Sequence, residues 1–217
     1  MPVVTALEIQ QKNKERVNVY LDGEFAFGLD MMVAAGLHKG QQLTEAEIEV
    51  LRDEDAVSRA VDRAVRFLAY RPRSTAEVRR NLSEKAIPEA VIAAAVERLN
   101  RLGYLDDQAF ARFWVENRDT FKPLSPRALR YELRQKGVAD AAIERALSGL
   151  DSQDAAYRAA QSQLRRQRGR TRVEFRNKMA AFLQRRGFGY EEIRTVVEQL
   201  ITEMEDEDPE FFISDEE

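Results

Sequence analysis

Cysteine is absent from the 217 residues, which excludes disulfides, thiolate zinc sites, iron–sulfur clusters and a cysteine nucleophile. The single histidine, His38, leaves no Ser-His-Asp triad and no multi-histidine metal site. Glycine (10) and proline (6) are too sparse for a collagen-like or low-complexity chain. Apolar runs extend only a few residues, against about twenty for a membrane-spanning helix. Met1–Gln10 lacks a basic stretch followed by an apolar core, so no secretion signal is read there. A soluble, cytoplasmic, monomeric protein is expected, with no cofactor, no resident metal, no catalytic residues and no membrane partner.

What is present is charge and a moderate apolar content: 33% of residues are charged and 44% hydrophobic, enough to close two or three small modules. The net charge of −4 hides an asymmetry. Eight acidic side chains and no basic one fall in residues 205–217, and without that segment the chain carries 34 basic against 30 acidic groups, a net +4. Arg158 to Arg186 alone contains ten basic residues and one glutamate, Glu174.

The first fifty residues alternate in character. Arg16–Leu21 and Glu24–Leu29 flank Asp22-Gly23, a two-residue hairpin signal, because a type I′ turn needs positive φ at both positions. Val4 to Gln10 supplies a possible third strand that returns through Lys12-Asn13-Lys14. Thr44-Glu45-Ala46-Glu47 is a capping box opening a helix to about Arg52. A small β-rich domain over 1–52 is therefore expected.

Beyond it three blocks share one spacing. Val78, Leu82, Lys85, Ile92 and Leu99 recur as Leu129, Leu133, Lys136, Ile143 and Leu150, and again as Met179, Leu183, Arg186, Ile193 and Leu200. A period near fifty residues is the mark of an internal repeat. Each block reads as three helices, giving repeats over 53–106, 107–151 and 152–204, then an acidic tail over 205–217 expected to be disordered. In the first, Val57, Val61, Val65 and Leu68 form a stripe ending at Arg71-Pro72, Ser74 caps a helix to about Ser83, and Pro88 sits at the first position of the third helix. In the second, Asp107 caps the first helix, Ser125-Pro126 opens the next and Lys136-Gly137 stops it. In the third, a helix runs from Asp154 to about Arg168, Thr171 caps the next, and Arg186-Gly187 stops that one. The fold class is mainly α: three tandem three-helix repeats behind a small hairpin-containing domain.

Basic residues carry the functional signal. Arg63, Arg66, Arg71, Arg73, Arg79 and Arg80 lie on the first two helices of repeat one; Arg127, Arg130, Arg134 and Lys136 follow on the middle helix of repeat two. Arg165, Arg166, Arg168, Arg170, Arg172, Arg176 and Lys178 crowd the same place in repeat three. Arginine supplies fixed bidentate donors for phosphate or carboxylate. Solvated faces pairing with Asp and Glu explain repeat one; repeat three has too few acids for that, and an anionic partner is expected there. Gly103-Tyr104-Leu105-Asp106-Asp107 reads as a glycine C-cap, a buried Tyr-Leu pair and an Asp N-cap in preference to a divalent-ion site. Phe110, Phe113 and Trp114 read as core in preference to a base-stacking platform, and His38 as a solvated turn residue. The tail has a sharper reading too, as a tethered competitor folding over the basic face.

The stretch Ala69-Tyr70-Arg71-Pro72-Arg73-Ser74 with Glu77, Leu82, Lys85 and Leu99, then Leu102-Gly103-Tyr104-Leu105-Asp106-Asp107 and Phe110-Ala111, resembles the RecX family of RecA regulators. The likeness continues through Leu133…Lys136-Gly137 and Arg186-Gly187, over roughly residues 53–204. The first domain resembles an extension that some members carry. Ala86 departs from the pattern, standing where the family usually has Gly, so a left-handed cap is not expected at that turn; the acidic tail also lies outside the shared pattern. The resemblance implies a non-enzymatic protein of DNA repair, recombination and the SOS response. Such a protein binds the RecA filament on single-stranded DNA, reaching the strand directly or through the filament, and mostly inhibits strand exchange and ATP hydrolysis. The expected contact residues are Arg71, Arg73, Arg79, Arg80, Arg127, Arg130, Arg134, Lys136, Arg165, Arg166, Arg168, Arg170, Arg172 and Arg176. The alternatives are a stand-alone DNA-binding protein of helix-turn-helix-like modules and a helical scaffold for acidic peptides.

Overall fold

A computed structural model describes residues 1–11 and 13–214. Lys12, within the expected strand return, and Asp215, Glu216 and Glu217, the end of the acidic tail, lie outside the described residues. The chain forms two compact units, Met1–Asp106 and Asp107–Glu217.

The first unit opens with an antiparallel meander of β1 (Val4–Ile9), β2 (Arg16–Leu21) and β3 (Glu24–Asp30), in that order. Asp22 and Gly23 take φ of 50° and 93°, the left-handed pair that a I′ turn requires. Each pairing carries one register shift, between Val4 and Ala6 on β1 and at Val19/Tyr20 on β2. One turn of helix, α1 (Met31–Ala34), follows β3. Val4, Val19, Phe27, Leu29 and Leu43 close a core against Ile48 of α2 (Glu45–Leu68).

Helix α2 corrects a sequence-based boundary. The Thr44 capping box is present, but the helix does not stop at Arg52; it continues for 24 residues to Leu68. No glycine or proline interrupts 45–68, and the acidic run Asp53-Glu54-Asp55 interrupts the apolar pattern without breaking the backbone. The end of the β-rich domain and the start of repeat one are therefore one element. Ile48 enters the sheet core, while Ala60, Val61 and Ala64 enter the next one. That second core is completed by α3 (Thr75–Ser83) and α4 (Glu89–Arg101) through Val78, Leu82, Ile92 and Leu99. Ser74 and Glu77 form the capping box of α3, and Pro88 is the residue before α4, one position earlier than expected.

The turn between α3 and α4 holds a second departure. Ala86 adopts φ of 56°, the left-handed conformation taken by Gly137 (73°) and Gly187 (89°) at the equivalent points of the other repeats. The expectation that this turn avoids a left-handed cap is corrected: the repeat geometry imposes it on a residue with a Cβ, at a cost of about 1 kcal/mol. Ala86→Gly is expected to recover about that much and to raise the midpoint of thermal unfolding by several degrees. Circular dichroism melts of the two chains check it, and an unchanged or lower midpoint contradicts the strain.

In the second unit, α5 (Asp107–Phe121), α6 (Pro126–Gln135) and α7 (Asp140–Leu147) enclose Phe110, Val115, Leu129, Leu133, Ile143 and Leu147. Ser125 caps α6 with Pro126 at its first position. Phe110 and Trp114 pack as core, while Phe113 is exposed. Ahead of α5, Leu105 is buried but Tyr104 is 52% exposed, so the expected buried pair is half right: the Gly103 cap turns Leu105 inward and the tyrosine out.

The last three helices are α8 (Ser152–Gln161), α9 (Arg172–Arg185) and α10 (Tyr190–Glu207). Helix α8 is capped by Asp151 and ends seven residues short of Arg168; a 3-10 turn at Leu164–Arg166 and a positive-φ Gly169 follow. On a continued helix Arg165/Arg168 and Arg166/Arg170 would stack like charges at i,i+3 and i,i+4. The Thr171 cap of α9 lies eight residues before Met179, whereas the Ser125 cap of α6 lies four before Leu129, so α9 carries one extra turn. That turn adds Phe175, fully buried.

The extra turn seats the chain's end. Phe211 is 5% exposed and packs edge-on against Phe175 at 6.1 Å between ring centroids; Phe212 does the same at 5.2 Å. The Gly169 amide donates to the Phe211 carbonyl at 2.9 Å, and the Ile213 amide to the Arg170 carbonyl at 3.1 Å. The expectation of a disordered segment from residue 205 is therefore corrected for 205–214. Helix α10 runs to Glu207, and the two phenylalanines bury enough apolar surface to fix an otherwise acidic stretch.

Candidate nucleic-acid and protein interface

The expected contact residues divide by what their guanidinium groups already hold. On α3, Arg79 reaches Glu89 at 2.6 Å. Just before it, Arg71 pairs with Glu77 at 2.8 Å, while Arg73 lies 4.0 Å over the Phe67 ring and is half-buried. Burial, together with the neighbouring Arg71 charge, draws the Arg73 guanidinium below its ordinary pKa. Arg80 is exposed and makes no ion pair among the described residues.

On α6, Arg130 forms a two-pronged pair with Glu144, at 2.7 and 2.9 Å, and Arg134 meets Asp140 at 2.8 Å. Those hydrogen bonds hold the Glu144 and Asp140 carboxyls below the usual carboxylate range and raise both guanidinium groups. Lys136 lies 4.0 Å over the Trp114 ring, whose indole N–H donates to Glu132. Arg127 is exposed, without a carboxylate partner among the described residues.

Repeat three differs in placement and in pairing. Only Arg172 and Arg176 stand on the middle helix α9. Arg165 and Arg166 are in the 3-10 turn, and Arg168 and Arg170 are in the connection after it, because α8 ends early. Arg176 pairs with Glu198 at 2.9 Å. The C-terminal segment takes two more: Arg168 binds Asp208 at 2.6 Å, and Arg172 pairs with Glu205. At the base of the same unit Arg158 ties α8 to Asp119 at 2.6 Å, and Arg186 donates to the Pro123 carbonyl at 2.9 Å while lying over Phe182. Burial lowers the pKa of Arg186.

Four cations of repeat three that form no ion pair among the described residues converge. A cleft of about 490 Å³ is lined by Arg166, Arg170, Lys178 and Arg185, with Gln163 and Gln167 on one wall and Phe182 on the other. Among the described residues it has no acidic lining residue. The Arg170 Nε and Gln167 Oε1 atoms are buried and have no hydrogen-bond partner among the described residues. Four cations around a concavity without a carboxylate repel one another until an anion enters. Sequence reasoning singled out Arg166 and Arg170 but left Lys178 and Arg185 out of its site. Their signal was the spacing 178, 182 and 185, which sets them with Phe182 on one face of α9.

Sequence models for the regulatory protein RecX match all four parts: the N-terminal domain over 2–44, and the first, second and third three-helix domains over 54–99, 106–147 and 151–197. The regulatory protein RecX of Bacillus subtilis (strain 168) is 35% identical over 215 residues, 97% of this chain and 81% of that one. This chain belongs to the RecX family. The Clostridium botulinum RecX is 31% identical over 92% of this chain and 96% of its own length. A crystal structure of a RecX regulatory protein superimposes with a TM-score of 0.75 at 26% identity, covering 91% of this chain and all of the other. A RecX structure from Lactobacillus salivarius gives 0.59 at 24% identity over 68% of this chain, a likeness of fold alone. The RecX relatives are named as regulatory proteins, and the three helical domains of the family coincide with the three repeats seen here. Among the described residues no helix is long and apolar enough to cross a membrane.

Proposed function

We propose that this RecX protein is a non-enzymatic, cytoplasmic, monomeric regulator that binds the RecA filament on single-stranded DNA and restrains its recombinase and ATPase activity. Within it, the acid-free cleft of the third repeat receives backbone phosphates. Family membership supports the regulatory role, and the residues that resemble the RecA regulators direct it to the filament. The observation that carries the site is the convergence of Arg166, Arg170, Lys178 and Arg185 around a space with no carboxylate among the described residues, while Arg130, Arg134, Arg168, Arg172 and Arg176 are held by acids of their own chain. A guanidinium held by an intramolecular carboxylate must release it before binding an anion; those of the cleft hold no carboxylate among the described residues. Arg71, Arg73, Arg79, Arg80, Arg127, Lys136 and Arg165 are then secondary contacts or none.

The test is Arg166→Glu/Lys178→Glu/Arg185→Glu, three exposed positions whose reversal spares the half-buried Arg170. Affinity for a single-stranded oligonucleotide is expected to fall at least tenfold at low salt. The salt slope should become shallower by about 2, since each lost phosphate contact removes roughly 0.7. Inhibition of RecA ATPase should weaken in parallel. A folded variant that retains both affinity and inhibition would falsify this site; tighter binding of bare duplex than of single strand would instead favour a stand-alone DNA-binding protein.

A further inference from the structure

The first unit contains a larger cleft, of about 710 Å³, between α2 and the turn joining α3 to α4. Arg59, Arg63 and Arg66 line one side at i, i+4 and i+7, a row covering about 10 Å of helix axis. Lys85 faces them from the turn. Arg63, Arg66 and Lys85 are exposed and make no ion pair among the described residues; Arg59 shares the buried Asp55 at 3.2 Å. Asp62 is the one acidic lining residue. Between these cations the surface is apolar, made by Ala60, Ile87 and Val91, with Ala60 buried and the other two half-buried.

This combination differs from the third-repeat cleft. A single strand of nucleic acid gains most from aromatic platforms on which bases stack, and among the described residues no aromatic one lines this cleft. The apolar floor would be wasted on a phosphodiester backbone. A protein segment carrying apolar side chains on one edge and carboxylates on the other satisfies both parts. Its apolar edge covers Ala60, Ile87 and Val91, and its carboxylates meet a cation row of matching pitch. That is helix-in-groove recognition with electrostatic complementarity.

We infer that this cleft is a docking groove for an acidic, amphipathic segment of a protein partner. Resting on the proposed function, the inference deepens it by dividing the work: the first unit holds the protein component of the filament and the third repeat holds the strand.

The experiment compares the full chain with Arg63→Glu/Arg66→Glu/Lys85→Glu in three titrations: RecA filament on single-stranded DNA, the bare strand, and a labelled peptide of about fifteen residues with leucines at i, i+3, i+4 and i+7 and glutamates elsewhere. Expected are a loss of at least tenfold for the filament, less than twofold change for the bare strand, and loss of peptide binding. Equal losses on filament and bare strand overturn the inference, because the cleft then serves nucleic acid; no loss on either overturns it as well. If the unaltered chain does not prefer filament to bare strand, the proposed function fails. The peptide titration alone then decides the groove, for or against. The neutral variant Arg63→Gln/Arg66→Gln/Lys85→Gln, with an unchanged thermal midpoint, should give an intermediate loss and shows that charge, not folding, is being read.

Discussion

Arg16→Ala is expected to destabilise the first unit by about 3 kcal/mol, enough to lower its thermal midpoint by more than 10 °C. Arg16 on β2 and Asp55 on α2 form an ion pair in which both residues are less than a tenth exposed. The Arg16 guanidinium also donates to the Gly28 carbonyl at 3.3 Å. A Cβ at Gly28 would lie 3.0 Å from the Gln10 side-chain amide and 3.3 Å from that guanidinium, so any other residue there would press on both. Removing the arginine leaves a buried carboxylate whose remaining partner, Arg59, has a side chain two-thirds exposed and holds it weakly. Two controls give the prediction its shape. Arg59→Ala should cost no more than about 0.5 kcal/mol. Arg16→Met/Asp55→Leu should recover most of the stability, since a buried pair replaced by apolar groups leaves no uncompensated charge. Thermal melts of the four chains decide it; equal effects of Arg16→Ala and Arg59→Ala would show that the pair does not join sheet to helix.

Phe211→Ala is expected to cost the second unit about 3 kcal/mol, the lower part of the range for a buried phenylalanine. The ring is one of three mutually packed phenylalanines, with Phe211 and Phe212 4.8 Å apart. Its loss should also be felt at the arginine connection, whose Gly169 amide bonds to the Phe211 carbonyl. Hydrogen exchange of Gly169 is therefore expected to accelerate far more than that of Leu129 in the core of repeat two. Equal acceleration at both sites would indicate general unfolding rather than release of the clasp. Removing residues 205–217 altogether should cost more than Phe211→Ala, because it also takes Phe212 from the Phe175 ring and removes the partly exposed pairs Arg168–Asp208 and Arg172–Glu205, worth at most about 1 kcal/mol each.

The contrast between what was legible in the sequence and what was not follows from the range of each interaction. Caps are local: Thr44, Ser74, Ser125 and Thr171 stand within three residues of the amides they satisfy, and their helices begin where the sequence places them. The threefold repeat was legible because the same core positions recur. Arginine partners were not, because Arg79–Glu89, Arg130–Glu144 and Arg176–Glu198 each depend on the packing of two helices. The equivalent positions Lys85, Lys136 and Arg186 show how little the pattern alone determines: one lines an open cleft, one covers Trp114, and one covers Phe182. The burial of Phe211 and Phe212 was not legible because composition weighs the surrounding acids, whereas burial depends on Phe175, thirty-six residues before Phe211. The acid-free cleft was half legible: a surplus of arginine announced it, but which ones stay unpaired is a property of the fold.

The seat for Phe211 also bears on how the chain matures during synthesis. The first unit has all its core residues once residue 106 has left the ribosome, and can close while the remainder is still being made, as domains generally do. The last repeat cannot complete its interior until Phe211 and Phe212 emerge, so its arginine connection is left unclasped until then.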